Sequence, residues 1–329
     1  MEQTVLFYEN FITEETDGTL KFYPSVSPEN SPMNFFTKPE HHTTAHICPT
    51  TINATMDIAI FKELITNMLE ISKDTGLYAD KAAQWENMLS RLPEYQVNAD
   101  GAIKEWIHPD MIDRYGHRHI SHVYSIFPGV EYVKDIHDPD MIAAFKKAVD
   151  LRELGSQTGW SFAHMSSIYA RFGEGEKAFE CIGNLTRACL LNNLFTLHND
   201  WRRMGLSWNM GGKMAPVQMD ANMGIVNAIQ EMLLFVSKDN LKILPALPEA
   251  LSKGSVRDLR FPGGQVSFVW DITQALFTME ITACRACEFN LILPSLPSIR
   301  PEYTLSNGIT AKAGKIIKLC MGAGDRVTI

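Results

Sequence analysis

Apolar residues recur at intervals of three and four positions through most of the chain before about residue 240, which is the spacing of amphipathic helices. The clearest case places Ile58, Phe61 and Ile65 on one helical face. Thr55 or Asp57 can cap the start of that helix. The same period predicts helices over residues 1–13, 55–72, 81–92, 122–127, 139–154, 161–172, 175–191 and 221–236. Paired helices joined by loops favour a toroid of helical hairpins.

The helical period gives way to strict alternation of apolar and polar residues from about Asp239. Val266 and Phe268 alternate with polar neighbours, and Gly263-Gly264 marks a turn. We therefore predict a helical domain over residues 1–239 and a smaller all-β domain over residues 240–329, in a fold that is mainly α. A shorter two-stranded piece is predicted over residues 95–106.

Composition excludes two classes of partner. The 30 Lys and Arg residues against 38 Asp and Glu give a net charge of −8 without a basic block, so we expect neither nucleic acid nor an anionic membrane as a partner. No stretch reaches the roughly 18 apolar residues of a membrane helix. The first residues lack the basic and apolar regions of a signal peptide, which leaves the localisation unknown.

Two polar islands interrupt the helical pattern, and each carries one carboxylate. The first contains Glu105 beside Trp106, and the second contains Asp220. Two carboxylates brought into one pocket are the basic equipment for cleaving a glycosidic bond. A carboxyl group beside an indole and away from water has a raised pKa, as a general acid requires. The alternative for Glu105 is a surface residue on a strand.

Asp220 precedes the predicted helix 221–236, so it could simply cap that helix. A capping position would also keep a catalytic carboxylate ionised and fixed in direction. Gln218 and Asn222 flank it and could bind sugar hydroxyls. Trp160 could stack on a sugar or pack in the core.

His117, His119 and His122 fall within six residues, with Arg118 between the first two. Such a cluster is costly in a core unless its polar atoms are bonded. It could bind sugar hydroxyls, form a structural hydrogen-bond network, or hold a metal. A metal is the weakest choice, because the glutamate of the H-E-x-x-H signature and a third ligand are missing.

The six cysteines are scattered, and Cys284 and Cys287 form a lone C-x-x-C that no second pair completes into a zinc site. We expect buried free thiols, because a free cysteine packs as a small apolar residue. We predict no metal and no organic cofactor.

The chain resembles glycoside hydrolase family 95, the inverting α-L-fucosidases and α-L-galactosidases. The resemblance extends over nearly the whole chain, in family order. It is carried by the segments Pro24-Ser25-Val26-Ser27-Pro28-Glu29-Asn30, Thr55-Met56-Asp57, Glu105-Trp106, His117-Arg118-His119-Ile120-Ser121-His122, Phe127-Pro128-Gly129, Thr158-Gly159-Trp160-Ser161, Asn193-Leu194-Phe195, Gln218-Met219-Asp220, Glu231-Met232-Leu233-Leu234 and Leu244-Pro245-Ala246-Leu247-Pro248.

The resemblance implies a partial (α/α)6 barrel followed by a β domain, without the family's N-terminal β domain and first barrel helices. It implies Glu105 as general acid and Asp220 as the carboxylate on the base side. It also implies the histidines, Trp160 and Gln218 as pocket residues. Two departures stand out: no N-x-N motif precedes Tyr23, and the usual Asp-Gly-Asn-Phe-Gly is here 220–224, Asp-Ala-Asn-Met-Gly.

We therefore predict an inverting glycosidase acting on terminal α-L-fucosyl or α-L-galactosyl residues of oligosaccharides. Its two carboxyl groups should lie roughly 6.5–9.5 Å apart, which leaves room for the attacking water. The alternatives are an inactive carbohydrate-binding fragment of such an enzyme and a histidine-ligated metal hydrolase. Exposed barrel faces predict self-association. Family members are mostly periplasmic or extracellular, which is the expectation for a full-length form.

Overall fold

The computed structural model describes residues 1–35, 50–209, 215–296 and 299–329. The chain forms two compact units. The first comprises Met1–Ser161 and the segment that starts at Asn199, and the second comprises Phe162–His198 and Ala215–Ile329. Compactness thus groups the later helices with the strands. The predicted division between residues 239 and 240 stays a prediction.

The first unit is mainly helical. Its elements are α1 (Glu2–Phe11), the strand pair β1 (Thr13–Glu14) and β2 (Leu20–Lys21), α2 (Thr55–Thr75), α3 (Ala82–Ser90) and α4 (Pro139–Asp150). The predicted apolar face of α2 is buried, with Phe61 and Ile65 fully enclosed. The helix ends at Gly76, whose positive φ of 75° suits a residue without a side chain. The core of this unit therefore forms on the face that the sequence pattern indicates.

The second unit joins helices to β-sheets. The last three helices are α5 (Gly159–Arg171), which begins in the first unit, α6 (Gly175–Cys189) and α7 (Met219–Leu233). The strands are β3 (Leu234–Val236), β4 (Asn240–Ile243), β5 (Lys253–Phe261), β6 (Gly264–Asp271), β7 (Leu276–Ala283), β8 (Cys287–Ile292), β9 (Glu302–Thr304), β10 (Thr310–Lys312), β11 (Ile316–Met321) and β12 (Arg326–Thr328).

Two four-stranded sheets make up most of this β part. Their strand orders are β11-β8-β4-β3 and β12-β7-β6-β5, and β9 pairs separately with β10. Neighbouring strands are antiparallel except β4 and β8, which are parallel. One apolar cluster draws buried side chains from both sheets, including Phe268 and Leu291. The described residues thus contain seven α-helices and a separate β part, so helices account for only part of the fold.

Three helix predictions need correction. The predicted helix 122–127 is a single 3-10 turn, Ser121–Val123, and Pro128 disfavours helical geometry at the residue before it. The predicted helix 139–154 ends at Asp150. The predicted helix 221–236 begins earlier, at Met219, and gives way at Leu234 to strand β3, which pairs with β4. The apolar residues of β3 suit a strand as well as a helix, so their pattern alone does not place the boundary.

The prediction of buried thiols is only partly correct. Cys181 and Cys189 are buried on α6, whereas Cys284 and Cys320 are exposed. All five cysteines in the described ranges are free, and Cys48 lies outside those ranges. No helix in the described part of the chain is long and apolar enough to cross a membrane.

Candidate active site

The backbone N–H and the backbone carbonyl of Glu105 are both hydrogen-bonded. Glu105 follows a short antiparallel bridge between Val97 and Ile103, as predicted for the two-stranded piece. Its N–H donates to Asp113 Oδ1 at 2.8 Å, and its carbonyl accepts from the N–H of Thr55, the first residue of α2, at 3.0 Å. The side chain is 1% exposed, so the alternative of a surface glutamate is wrong.

The Glu105 carboxylate is surrounded by donors. Ser27 Oγ donates to Oε1 at 2.5 Å. Asn30 Nδ2 lies 2.9 Å from both carboxylate oxygens. Arg152 Nη2 donates to Oε2 at 3.0 Å, and His122 Nδ1 lies 3.8 Å from the same oxygen. A buried carboxylate needs such partners, because an unpaired buried charge is strongly unfavourable.

These partners decide the charge of Glu105. Burial by itself would raise the pKa of this carboxyl group, but the positive charge of Arg152 and then that of His122 outweigh it and lower the pKa. The expectation of a raised pKa is therefore wrong. The neighbouring Trp106 indole packs with Ala54 and Met111. Glu105 is ionised at neutral pH.

The three predicted histidines lie in the same unit as Glu105. The rings of His117 and His119 stack with centroids 5.2 Å apart, and the His119 ring lies 4.7 Å from the Trp160 ring. His119 Nε2 lies 3.3 Å from Glu29 Oε2. His122 is buried against Arg152, whose Nη2 is 3.4 Å from either ring nitrogen.

Burial lowers the pKa of His117 to about 4, with the positive charge on His119 as the next cause. Burial also lowers the pKa of His119, against the opposing effect of Glu29. Both rings are neutral at pH 7, and a neutral imidazole both donates and accepts hydrogen bonds. That property suits sugar hydroxyls. Among the described residues, no group of three or more His, Cys, Asp or Glu side chains is arranged to hold a metal ion.

An aromatic and charged wall adjoins these histidines. Arg118 forms an ion pair with the exposed Glu29, and its guanidinium lies 5.9 Å from the Trp208 ring. Trp160 is the second residue of α5 and is half-buried, and its stacking on a sugar stays a prediction. Glu105, the histidines and Trp160 therefore form one cluster in the first unit, with Trp208 at its margin.

Asp220 lies in the second unit. Helix α7 begins at Met219 and its capping position is Gln218, so Asp220 lies in the first turn and the capping interpretation is wrong. The exposed Asp220 carboxylate has no hydrogen-bond partner among the residues described. Its predicted distance from Glu105 stays a prediction.

Gln218 and Asn222 adjoin Asp220, and the side chain of Asn222 is hydrogen-bonded within the protein. Its Oδ1 accepts from the N–H and hydroxyl of Thr196 at 3.0 and 2.7 Å. Its Nδ2 donates to the carbonyl of Leu194 at 2.7 Å. Gln218 is half-buried, and its backbone N–H donates to the Thr196 carbonyl at 2.9 Å. The proposed sugar contacts of both side chains stay predictions.

Sequence reasoning missed three residues that contact the Glu105 carboxylate. Ser27 and Asn30 belong to the Pro- and Ser-rich loop that carries part of the family resemblance, which was the available signal. Arg152 stands alone between Leu151 and Glu153 after α4, and no motif marks it. Only the fold shows that this arginine is the charge partner of Glu105.

Comparison with known proteins identifies related sequences. The model of the glycosyl hydrolase family 95 catalytic domain matches residues 1–233. "Alpha-L-fucosidase 2" of Arabidopsis thaliana is 30% identical, in a match covering 82% of this chain and 31% of that protein. "Probable alpha-fucosidase A" of Aspergillus oryzae is 29% identical, covering 77% of this chain and 35% of that protein. The chain thus spans about a third of the length of these curated relatives.

A solved structure shares the fold. A putative kojibiose phosphorylase from the human microbiome matches with a TM-score of 0.51 at 11% sequence identity. The match covers 96% of this chain and 44% of that protein. At this identity the likeness concerns the fold alone.

Proposed function

Because the chain belongs to glycosyl hydrolase family 95, we propose that it is part of a glycosidase that releases terminal α-L-fucosyl residues, or the related α-L-galactosyl residues, from oligosaccharides. The named fucosidases among its relatives support this substrate class. The helices α1–α7 would then be part of an (α/α)6 barrel. The reaction needs no cofactor.

One observation carries the proposal: Glu105 is a buried carboxylate that is fixed by hydrogen bonds and lies beside His122, in one cluster with the neutral rings of His117 and His119 and an aromatic wall. Glu105 protonates the departing oxygen, and Asp220 holds the attacking water on the opposite face of the sugar. The histidines and Trp160 orient the ring, since correct placement of reacting groups lowers the barrier.

The ionised state of Glu105 has a consequence for this role. A general acid must carry a proton when the substrate is bound, and the lowered pKa of Glu105 makes that form scarce at neutral pH. The reaction should therefore run faster on the acid side of neutrality. Inversion of configuration remains part of the proposal, and it requires a carboxyl separation of roughly 6.5–9.5 Å.

The test is hydrolysis of 2′-fucosyllactose, with the anomer of the released sugar followed by NMR. We would compare the 329-residue chain with a form extended to the length of its relatives. Glu105→Gln and Asp220→Asn should each reduce turnover of the active form by at least about a hundredfold. Glu86→Gln, on the exposed side of α3, is the matched control. Full activity of Glu105→Gln would exclude its role as the acid.

A second candidate function is carbohydrate binding without hydrolysis. The observation that favours it is the span of the chain, about a third of its relatives. If only the extended form hydrolyses the substrate while the 329-residue chain still binds it, this candidate holds for the chain by itself. A histidine-ligated metal hydrolase is not supported by the described residues.

A further inference from the structure

A cavity of about 370 Å³ opens in the first unit away from Glu105. Helices α2, α3 and α4 and the loops that follow α3 and precede α4 enclose it. Its walls combine polar surface with apolar and aromatic side chains, which include Ile58, Leu89, Leu92, Tyr95, Tyr132 and Met141. Ligand sites in proteins are concave, begin at about this size, and use polar groups among apolar and aromatic side chains to orient the ligand.

Polar groups stand among these apolar walls. Lys62, Ser90 and Glu94 also line the cavity. The Glu94 carboxylate and the Tyr132 hydroxyl make no hydrogen bond to any residue in the described ranges, so both have capacity for a ligand. Burial raises the pKa of Tyr132, with the Glu131 charge as the next cause, so this hydroxyl stays protonated.

A network behind the wall fixes Lys62. Its ammonium group pairs with the Glu131 carboxylate and lies 5.3 Å from the centroid of the Tyr95 ring. The Tyr95 hydroxyl donates to Glu131 Oε2 at 2.7 Å, and Ser125 Oγ donates to the same oxygen at 2.8 Å. Burial raises the pKa of Tyr95 far above its ordinary value, which keeps this donor protonated. The ion pair and these hydrogen bonds therefore fix the positions of the Lys62 and Tyr95 side chains that line the cavity.

The balance of charge selects among ligand classes. Glu131 neutralises Lys62, and Glu94 adds a further negative charge at the lining, which disfavours a phosphate or another anion. Glu94 is exposed, so solvent and salt screen its attraction for a cationic ligand. A neutral polyhydroxylated ring fits best, because its apolar face can lie on a tyrosine while its hydroxyls meet both donors and acceptors.

We propose that this cavity is a second carbohydrate site, which takes a neutral mono- or disaccharide unit and is separate from the candidate active site. Helix α2 contributes residues to the surroundings of both sites within the first unit. Its first residue, Thr55, bonds to the Glu105 carbonyl, and Lys62 lies about two helical turns, roughly 10 Å, further along the axis. The inference does not depend on the proposed hydrolysis, since it rests on the lining alone.

Met141 gives a local reporter. The 329-residue chain would be labelled with ¹³C at its methionine methyl groups, and the Met141 signal assigned with Met141→Leu. Titration with lactose and 2′-fucosyllactose should move the Met141 signal saturably. Tyr132→Phe and Glu94→Gln each remove one hydrogen-bonding group while keeping the shape, and each should weaken binding roughly fivefold.

Two comparisons decide whether this is a separate site. Glu105→Gln should leave the Met141 titration unchanged, and so should Thr278→Ala, a control on strand β7 of the second unit. An unmoved Met141 signal at saturating sugar would overturn the proposal, as would loss of its response in Glu105→Gln. Tighter binding of glucose 6-phosphate than of glucose would overturn the neutral ligand class.

Discussion

Arg152 and Glu105 form a buried ion pair, with each side chain about 1% exposed. Arg152 Nη1 also donates to the carbonyl of Arg114 at 3.0 Å. Removing one member of such a pair leaves the other charge buried without its partner, which typically costs 3–5 kcal/mol, roughly. The pair thus connects the stability of the first unit to the ionisation of its candidate acid.

Arg152→Leu should lower the free energy of unfolding by about 3 kcal/mol and raise the pKa of Glu105. Chemical denaturation measures the first effect. The pH profile of kcat/KM measures the second, and its alkaline limb, where a general acid loses its proton, should move to higher pH in a catalytically active form. Arg152→Lys keeps the charge and is the matched control. A profile that does not move in Arg152→Leu would separate Arg152 from the function of Glu105.

His117 gives the first unit a dependence on acid. Its pKa is about 4 in the folded protein and ordinarily about 6.5. Between these values the unfolded chain binds a proton that the folded chain does not, so stability falls as pH decreases from about 6.5 to 4, by at most about 3 kcal/mol. The pKa of Glu105 is lowered in the folded protein, so the stabilisation that its ionised form contributes is also lost as the pH falls below its ordinary pKa.

Unfolding free energies measured from pH 8 to pH 4 test this. His117→Asn replaces the imidazole acceptor for the His119 N–H with an amide oxygen, and it should flatten the curve above pH 4.5. The substitution can change stability at every pH, so the slope is the informative quantity. An unchanged slope would mean that folding does not lower the pKa of His117.

At the residue scale, the sequence pointed to the carboxylate but not to its charge state. Glu105 could be selected because it follows a strand-like stretch and adjoins Trp106. Its ionisation depends on the charge of Arg152, 47 positions away, and then on that of His122. Both are tertiary facts, so the local sequence supplied the residue and missed the sign of its pKa shift.

Among the elements, α7 shows how one side chain attaches a turn to a helix. The carboxamide of Asn222 makes three hydrogen bonds to the turn at residues 194–196, and Leu194 has a positive φ of 66° there. Without them, the Thr196 N–H loses its partner, whereas the Thr196 hydroxyl still donates to the carbonyl of Gln218. The turn precedes the strand-like residue Leu197, which pairs with Val217 just before α7. Asn222 therefore helps to position the start of α7 and Asp220.

Asn222→Ala should lower the free energy of unfolding by about 2 kcal/mol and increase proteolysis at residues 194–196. Asn222→Asp keeps the acceptor for Thr196 and loses the donor to Leu194, so it should cost less. Limited proteolysis and denaturant titration check both. Unchanged stability together with weaker sugar binding would favour the original prediction that Asn222 contacts the substrate.

Helices with a long apolar period were predictable, whereas their ends were not. The predicted 55–72 and 175–191 correspond to α2 and α6 within three residues at either end. The segment 122–127 has apolar residues at helical spacing but ends at a proline, which leaves only a 3-10 turn. Leu234, Phe235 and Val236 continue the apolar run of α7, and pairing with β4 determines their state.

On the scale of the whole molecule, both units expose apolar side chains. Leu6 and Phe7 on α1 are 49% and 57% exposed, and Met223 and Val226 on α7 are 64% and 63% exposed. Contiguous exposed apolar surface promotes association. The predicted self-association stays a prediction, and these faces are where it should occur.

Sedimentation velocity at increasing concentration should show association of the 329-residue chain. The double substitution Leu6→Lys and Phe7→Lys should reduce this association, because a charge on the exposed side of α1 opposes burial of that face. The corresponding double substitution of Met223 and Val226 tests α7 separately. A concentration-independent monomer would contradict the prediction.

Fold class was only partly accessible from the chain. Periodicity correctly separated a helical region from later strands, since helices repeat at 3.6 residues and strands at two. It could not show that the later helices, α6 and α7, group with the sheets in one compact unit. That grouping depends on contacts such as the approach of Gly175 to the backbone of Ala246, where a side chain would meet the carbonyl at 2.7 Å.

The donors around Glu105 also bear on how the chain acquires its structure. Ser27, Asn30 and Arg152 lie 78, 75 and 47 positions away from it along the chain. Bringing such distant segments together costs loop-closure entropy before the contacts compensate for it. Until Ser27, Asn30 and Arg152 are all in contact with the carboxylate of Glu105, its burial is unfavourable. The candidate site should therefore be among the last parts of the first unit to form. The charge of Glu105 also destabilises folding intermediates that bury it without these partners.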